Sequence, residues 1–331
     1  MVYWKASKEK TAMKFSTKSR YALRLMAELA RYAPGSTVSL KEISERQQLS
    51  LKYLVPCETV VQRYEKKLKI RYFVIPNGGP SGARNYGARI SEGEYLLILD
   101  SDCILPETYL EAVERSLNET DADAFGGPDC AHPSFNAIQK AISYAMTSFF
   151  TTGGIRGGKK KLDQFYPRSF NMGIRRDVFI KLDGFDTSMR YGEDIDFSTR
   201  IIQGGYTTRL FPEAYVYHKR RTRLIQFFRQ VEHSGEARIA LTQKYPSTLK
   251  IVHCLPAVFV IGVIGLCLLG ILCPWLYLLL LLYVLLLFVD ATYQYKGNIW
   301  IGMLSVAAAF TQLFGYGTGF IRAWWKWKLK K

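Results

Sequence analysis

The sequence is short of acidic residues and contains no closely spaced pair of cysteines. It has 45 lysines and arginines but only 28 aspartates and glutamates, a formal net charge of +17. Such an excess suits anionic partners (nucleotide phosphates, anionic lipids or nucleic acid), although we favour the positive-inside bias of membrane proteins as its cause. The six cysteines show neither a C-x-x-C pair nor metal-like spacing. This argues against a disulfide framework and predicts reduced thiols of a cytoplasmic or membrane protein.

The N-terminal thirty residues are basic and lack an apolar core region. We therefore expect no secretory signal peptide.

A D-x-D motif, Asp100-Ser101-Asp102, directly follows the apolar run Tyr95–Leu99. The run predicts a central parallel strand, and open α/β sheets bind ligands at the carboxyl edge of such strands. Two carboxylates at this edge suit a divalent cation shared with substrate phosphates. Similar pairs also occur in solvated turns, so the motif needs support from its neighbourhood.

Two further segments supply that support. A glycine-rich stretch from Asn77 to Gly93 permits close approach of the backbone to a ligand. An acidic stretch, Tyr191–Asp196, follows downstream. In this order the segments resemble a family 2 inverting glycosyltransferase, and the matching text is GGPSGARNYGARISEGEYLLILDSD, NMGIRRDVFIKLDGFD and YGEDIDFSTRIIQGGY. The resemblance runs from about residue 58 to about 322 and implies an α/β, Rossmann-like GT-A core followed by transmembrane helices.

The resemblance implies a nucleotide-sugar donor, commonly UDP-linked, and Mn²⁺ or Mg²⁺ held by Asp102 with Asp100 nearby. Asp194 is predicted to be the catalytic base, because it lies in the family's acidic pair with Glu193. A base must lie within hydrogen-bond reach of the acceptor hydroxyl. Glu193 would support Asp194 or contact the acceptor.

The remaining candidate residues each have a simpler alternative. Arg84 and Asn85 would flank the nucleotide, or are solvated surface residues; Arg220 and Arg221 would contact the diphosphate, or meet anionic lipid. Asn171 and Asp196 are candidates for the acceptor site, and Asp196 equally suits a helix N-terminus. For His218 a structural role is favoured over a metal ligand.

The N-terminal part has a different character. After a leader at residues 1–12 that is expected to be unstructured, residues 13–54 show a helix-turn-helix outline with a capping-box pattern at Ser39 and Glu42. The stretch MKFSTKSRYALRLMAELARY…VSLKEISERQQLSLKYL resembles the start of winged-helix repressors that include iron–sulfur sensors. The recognition helix stops early, which argues against DNA binding. Two strands and a helix expected before residue 58 in the transferase family are missing, so we predict a truncated core at residues 55–250 behind a junction that is either a real gene fusion or a stitched or misread gene.

Residues 251–331 form the predicted membrane region. Residues 251–272 and 274–290 are each long enough to cross a bilayer, and 299–321 is a weaker third segment. The tail, residues 322–331, is basic and aromatic like an interface anchor. Three spans would leave this tail outside, against the positive-inside rule. Either the third segment lies in the interface or re-enters, or the rule fails; we favour a cytoplasmic tail.

The sequence thus predicts a hexosyl-type glycosyltransferase at the inner face of a bacterial-type cytoplasmic membrane. Its acceptor would be a saccharide or a lipid-linked molecule in cell-surface polysaccharide synthesis, and its action would invert the anomeric centre. Two alternatives stay open. One is an inactive, truncated fusion, and the other is a membrane-tethered DNA-binding regulator.

Overall fold

The computed structural model describes residues 71, 73, 75–153 and 165–329. The predicted leader, the predicted helix-turn-helix segment and the junction near residue 58 lie outside the described residues. The chain divides into two units, Met1–Ala83 and Arg84–Lys331. The described part of the first unit contains the start of a helix, where the Asn77 side-chain oxygen accepts a hydrogen bond from the Gly79 N–H at 3.2 Å.

The described strands are β1 Tyr95–Leu99, β2 Cys103–Ile104, β3 Ala124–Gly126, β4 Asp129–Cys130, β5 Asn171–Arg175, β6 Thr208–Leu210 and β7 Val216–His218. The helices up to the membrane region are α1 Gly79–Ile90, α2 Tyr109–Glu119, α3 Ala137–Thr147, α4 Phe149–Thr152, α5 Arg176–Lys181, α6 Glu193–Gln203 and α7 Leu224–Lys244. Three long helices follow, α8 Ile251–Leu272, α9 Tyr277–Gln294 and α10 Ile299–Leu329.

The larger sheet is mixed and has the order β1-β5-β3-β6. β5 is antiparallel to both β1 and β3, and β3 is parallel to β6. The described pairing of Tyr95–Leu99 is thus antiparallel, against the prediction of a parallel strand, and its central position in the sheet stays a prediction. Among the described residues this strand has one neighbour, β5, and runs antiparallel to it. A continuous apolar run reports burial of both faces, and it carries no information about strand direction.

Helices cover both faces of the larger sheet, which explains the continuous apolar run in β1. On one face, Leu96 packs in a cluster with Phe179 of α5 and Phe197 of α6. On the other face, Tyr95 and Leu99 pack against a second cluster that includes residues of α2. Three layers of this kind bury the sheet and leave its loops at the edges for function.

A smaller sheet of order β2-β7-β4 lies beyond the end of β1. β2 starts just after the D-x-D motif and pairs antiparallel with β7, so that Cys103 lies opposite His218. A turn precedes it, in which the Cys103 N–H donates to the Asp100 carbonyl at 3.0 Å. The D-x-D loop is thereby held against β7.

Helices α8, α9 and α10 are each long and apolar enough to cross a membrane. This confirms that the C-terminal region contains candidate membrane helices. α10 is longer than the predicted segment 299–321 and extends through the aromatic tail to Leu329. A single helix continues into the tail because residues 322–329 contain neither proline nor glycine.

Candidate active site

The D-x-D loop brings a carboxylate and an imidazole together. The Asp102 Oδ1 lies 3.3 Å from the His218 Nε2, and ligand atoms of Asp102, Cys103 and His218 all lie within 4.8 Å of one another. Backbone pairing fixes this geometry, because the Lys219 N–H donates to the Asp102 carbonyl at 3.1 Å. Phe170 stacks on the His218 ring with centroids 5.2 Å apart, and this contact orients the imidazole.

These residues fit a divalent cation. A carboxylate and an imidazole are ligands that Mn²⁺ accepts, and both side chains are partly open to solvent. Burial raises the pKa of the Cys103 thiol to about 12, and the charges of Asp100 and Asp102 add to the effect. In the metal-free protein Cys103 is therefore a thiol, which is a soft and poor ligand for such an ion.

Arg84 of α1 joins the D-x-D motif to the second acidic motif. Its guanidinium lies 2.8 Å from Asp100 Oδ1 and 3.0 Å from Glu193 Oε1. The Phe185 ring lies beneath the guanidinium at 5.3 Å. Both contacts are partly buried, so each is stronger than a solvated ion pair. Residues that are far apart in the chain are thus held at one place by a single side chain.

The second acidic motif lies at the start of α6. Gly192 precedes the helix with φ of 81°, a conformation that suits glycine, and the acidic residues of the first turn face the positive end of the helix dipole. Asp194 Oδ2 forms an ion pair with Arg168 at 2.9 Å, and its other oxygen accepts from the Ile195 N–H at 2.8 Å. The Asp194 side chain is 16% exposed.

Two predicted site residues, Asn171 and Asn85, form hydrogen bonds within the protein. The Asn171 amide accepts from the Tyr109 hydroxyl and donates to the Ala214 carbonyl, and the residue is buried. The Asn85 amide makes two hydrogen bonds to the Phe185 backbone. Both contacts are structural, and the substrate roles of Asn171 and Asn85 stay predictions.

Asp196 is fully buried and lies two residues beyond the acidic pair. Its carboxylate accepts from Arg200 at 3.0 Å and from the Tyr245 hydroxyl at 3.0 Å, and it pairs with Lys244 at 2.6 Å. These donors surround the carboxylate, which favours a structural role over acceptor binding. Its predicted acceptor role is left without direct support.

The two predicted diphosphate arginines differ in their environment. Arg221 is exposed and donates to Gln230 at 3.1 Å. Arg220 is buried and pairs with Asp129 of β4 at 2.5 Å. Its Nε and Nη2 are buried and have no hydrogen-bond partner among the described residues. Donors in that state are costly unless they meet a ligand or water, so Arg220 keeps its candidacy as an anion contact.

Two site residues were missed or undervalued by the sequence reasoning. Arg168 has no motif of its own, and only its position just before the segment that starts at Asn171 places it near Asp194. The sequence favours a structural role for His218, because a single histidine shows no ligand spacing. The antiparallel pairing of β2 with β7 brings it to Asp102.

Comparison with known proteins agrees with this architecture. Residues 56–183 match the sequence profile of glycosyl transferase family 2. The mannosyltransferase PcManGT from Pyrobaculum calidifontis, solved in complex with GDP-Man and Mn²⁺, matches with a TM-score of 0.51 over 76% of this chain and 73% of that chain, at 16% identity. At that identity the likeness shows the fold. The chain has a GT-A-like glycosyltransferase fold and carries a family 2 glycosyltransferase domain, as predicted.

Two curated relatives match different parts of the prediction. The minor teichoic acid biosynthesis protein GgaB of Bacillus subtilis (strain 168) is 28% identical over 169 residues, which is 50% of this chain and 18% of that protein. The present chain thus spans a small part of its length. The HTH-type transcriptional regulator IscR of Vibrio atlanticus (strain LGP32) is 32% identical over 136 residues, 40% of this chain and 68% of that protein. That match is partial, and the winged-helix segment at residues 13–54 stays a prediction.

Proposed function

We propose that this chain transfers a hexosyl group, with inversion, from a nucleotide-sugar donor to a saccharide or lipid-linked acceptor at a membrane. One observation carries the proposal. The Arg84 guanidinium holds Asp100 and Glu193 together, and these residues belong to the two acidic motifs of the transferase family. Asp102 follows Asp100 in the same loop and contacts His218 of β7. We infer from these contacts that a donor site and an acceptor site lie side by side.

For the donor, Asp102 and His218 are the residues that would hold Mn²⁺ or Mg²⁺. A bound cation would supply positive charge to the diphosphate leaving group. Arg84 and Arg220 are the protein's own cations for the same charge, and a planar guanidinium suits phosphate oxygens.

For the acceptor, Asp194 is the proposed general base. The acceptor oxygen forms a bond to the anomeric carbon as the bond to the diphosphate breaks, and the hydroxyl proton passes to the Asp194 carboxylate. The nucleoside diphosphate leaves with the bonding electron pair. Arg168 holds the Asp194 side chain in place at 2.9 Å.

The substrate class draws on the relatives. GgaB is named for teichoic acid biosynthesis, and the structural neighbour holds a nucleotide-sugar, GDP-Man. We therefore propose a cell-surface polymer as the product and the cytoplasmic face of the membrane as the place of synthesis. A UDP-sugar is the proposed donor, and GDP is the comparison that tests this choice.

The test is nucleotide binding by the full-length chain in detergent. UDP and GDP would be titrated by calorimetry with Mn²⁺ and with chelator, using the native chain, Asp102→Asn and Cys103→Ser. We expect UDP binding that needs Mn²⁺, is lost in Asp102→Asn by at least about tenfold, and survives in Cys103→Ser because the thiol is a poor ligand for the ion. Cys103→Ser is the matched control at the neighbouring position.

Two results would contradict the proposal. Binding that is equally reduced in both variants would remove Asp102 as a specific ligand. Absence of binding in all three proteins, each shown to be folded by circular dichroism, would favour the alternative of an inactive transferase.

A further inference from the structure

The helix α10 lies between the catalytic domain and the α8–α9 hairpin. Toward the catalytic domain, Ala308 packs in one cluster with residues of α3 and α7. A side chain added at Gly315 or Gly319 would collide with the α7 backbone at Phe228 or Glu232. These contacts continue along much of the helix and cover one of its faces.

The opposite face of α10 meets the hairpin. A side chain at Gly302 would collide with Thr292 near the end of α9, and one at Gly317 would collide with the Pro256 carbonyl near the start of α8. Both contacts are at the ends of the hairpin that lie nearest the catalytic domain in the chain. Phe310 of α10 also meets Phe259 and Tyr283 with ring centroids 5.6 and 6.0 Å apart, so the contact reaches further along the hairpin, and side chains beyond it, such as Leu268 and Leu279, are exposed.

Both ends of α10 lie on the same side as the catalytic domain. Just before the helix, the Tyr295 hydroxyl donates to the Lys140 carbonyl of α3 at 2.7 Å. Near the other end, Arg322 pairs with Glu232 of α7 at 3.1 Å and also contacts Glu236. A helix that crossed the roughly 30 Å hydrocarbon core would put one of its ends on the far side. The charged residues of α7 cannot follow it there.

The exposure of apolar side chains also distinguishes α8 and α9 from α10. Exposed large apolar side chains cover α8 and α9, and among the described residues of α10 they occur only up to Met303 and from Trp324 onward. From Cys254 to Val289 the sequence has no charged residue. The turn between α8 and α9 carries Trp275, which is 77% exposed. The hairpin thus has the surface of a lipid-facing element, and the middle of α10 has the surface of a buried helix.

We propose that only α8 and α9 cross the bilayer, and that α10 lies along its surface between the hairpin and the catalytic domain. The tail that follows Arg322 is then on the same side as the active site, and its Trp and Lys residues meet the membrane interface. This inference rests on the proposed membrane association but not on sugar transfer. It removes the conflict between three apolar segments and the positive-inside rule.

The arrangement also relates the active site to the lipid. Tyr191, just before the acidic pair, stacks on His233 of α7 with ring centroids 4.3 Å apart. A side chain at Gly192 would crowd Ala237 of the same helix. The start of α6 thus rests on α7, and α7 rests on α10. An acceptor that is anchored in the membrane would therefore approach Asp194 from a short distance.

The experiment compares two cysteine variants of the full-length chain in cells. Glu114→Cys reports an exposed position on α2 of the catalytic domain, and Lys328→Cys reports an exposed position in the tail. A membrane-impermeant maleimide is added before or after permeabilisation, and the native chain measures labelling of its own cysteines. We expect both variants to gain label under the same condition, because both positions lie on one side.

Label that appears at the two positions under opposite conditions would overturn the proposal, since α10 would then span the membrane. Recovery of the native chain in the soluble fraction after an alkaline carbonate wash would also overturn it. If lipid shields Lys328→Cys from the reagent, a protease-sensitive tag fused after Lys331 gives the same comparison. None of these readings depends on sugar transfer, so failure here is distinct from failure of the proposed activity.

Discussion

Asp194 and Asp196 lie in one helical turn, but they differ in burial and therefore in the role that each carboxylate can have. Asp194 is partly exposed, and its cationic partner among the described residues is Arg168, which is itself partly exposed. Asp196 is fully buried and is surrounded by Arg200, Lys244 and the Tyr245 hydroxyl. A buried carboxylate with several donors stabilises the fold, and its substitution lowers the free energy of unfolding. An accessible one is free to exchange a proton with a substrate.

The two residues therefore give opposite predictions. Asp194→Asn is expected to lower the turnover number about 10²- to 10⁴-fold, because the amide cannot accept the proton, while nucleotide binding is kept. Asp196→Asn is expected to lower the free energy of unfolding by about 1–3 kcal/mol, because it removes the buried anion to which the partly exposed Arg200 and Lys244 and the Tyr245 hydroxyl donate. Radiolabelled sugar transfer and thermal unfolding in detergent measure the two effects. A loss of stability in Asp194→Asn equal to that in Asp196→Asn would contradict the assignment.

The C-terminal end of α7 is tied to the loop before α6 by Lys244. Its ammonium group contacts Asp186 at 3.0 Å and the buried Asp196 at 2.6 Å. Hydrogen bonds from Ser188 and then Lys244 lower the pKa of Asp186 from 3.8 to about 2. Burial alone would lower the pKa of Lys244, but its hydrogen bonds to Asp196 and Asp186 raise it.

These directions define a pH dependence. The folded-state pKa of Asp186 is below its ordinary value, so its contribution is present above pH 3.8 and is lost as the pH falls toward 2. After allowance for screening of this partly exposed pair, the loss is about 1 kcal/mol. We expect Asp186→Asn to flatten the fall of the melting temperature in that window, as measured by intrinsic fluorescence. An unchanged acid slope would show that Asp186 is not the titrating group.

The packing of α7 against α10 depends on glycines. Gly319 lies so close to the Glu232 carbonyl that a side chain cannot fit, and Gly235 of α7 has the same relation to the Tyr316 carbonyl. Small residues permit this close approach of helix backbones. Gly265 of α8 is different, because a side chain there would meet nothing within 4 Å.

This contrast supplies a prediction with its own control. Gly319→Ala is expected to lower the free energy of unfolding by about 1–3 kcal/mol, because the methyl group forces α10 away from α7. Gly265→Ala is expected to be neutral or stabilising, since alanine favours a helix by up to about 1 kcal/mol over glycine. Thermal unfolding in detergent compares the two. Equal melting temperatures would mean that the close contact does not bear on stability.

In the molecule as a whole, α10 packs between the catalytic domain and the apolar hairpin α8–α9. Leu268 and Leu282 of the hairpin are 64% and 61% exposed in the part of the chain that the structure describes. Bilayer lipid is the environment in which such surfaces are stable.

Charge placed on the hairpin should weaken membrane attachment. Ile261→Lys with Leu285→Lys, at exposed positions near the middle of α8 and α9, is expected to raise the fraction released by alkaline carbonate, because each lysine near the middle of a span costs about 3 kcal/mol. Leu110→Lys with Ile180→Lys, at exposed apolar positions of the catalytic domain, is the matched control and should release no more than the native chain. Equal release by the two double variants would place the hairpin outside the bilayer.

The sequence by itself determined the motifs, the class of fold and the apolar segments. The acidic loops are recognisable because their order and spacing are local properties of the chain, and α8 begins and ends where its apolar run does. Charge and hydropathy are likewise additive along the sequence, so they predict a basic membrane protein without knowledge of the packing.

The tertiary structure decided which strands pair and which side chains contact one another. The direction of β1, the approach of His218 to Asp102 and the bridge made by Arg84 arise from pairings between distant segments. Asp196 cannot be told from Asp194 by sequence, since both lie in the first turn of α6. The position of α10 also depends on contacts between distant segments. Its length and composition suit a span, but contacts on both of its faces place it between the catalytic domain and the hairpin.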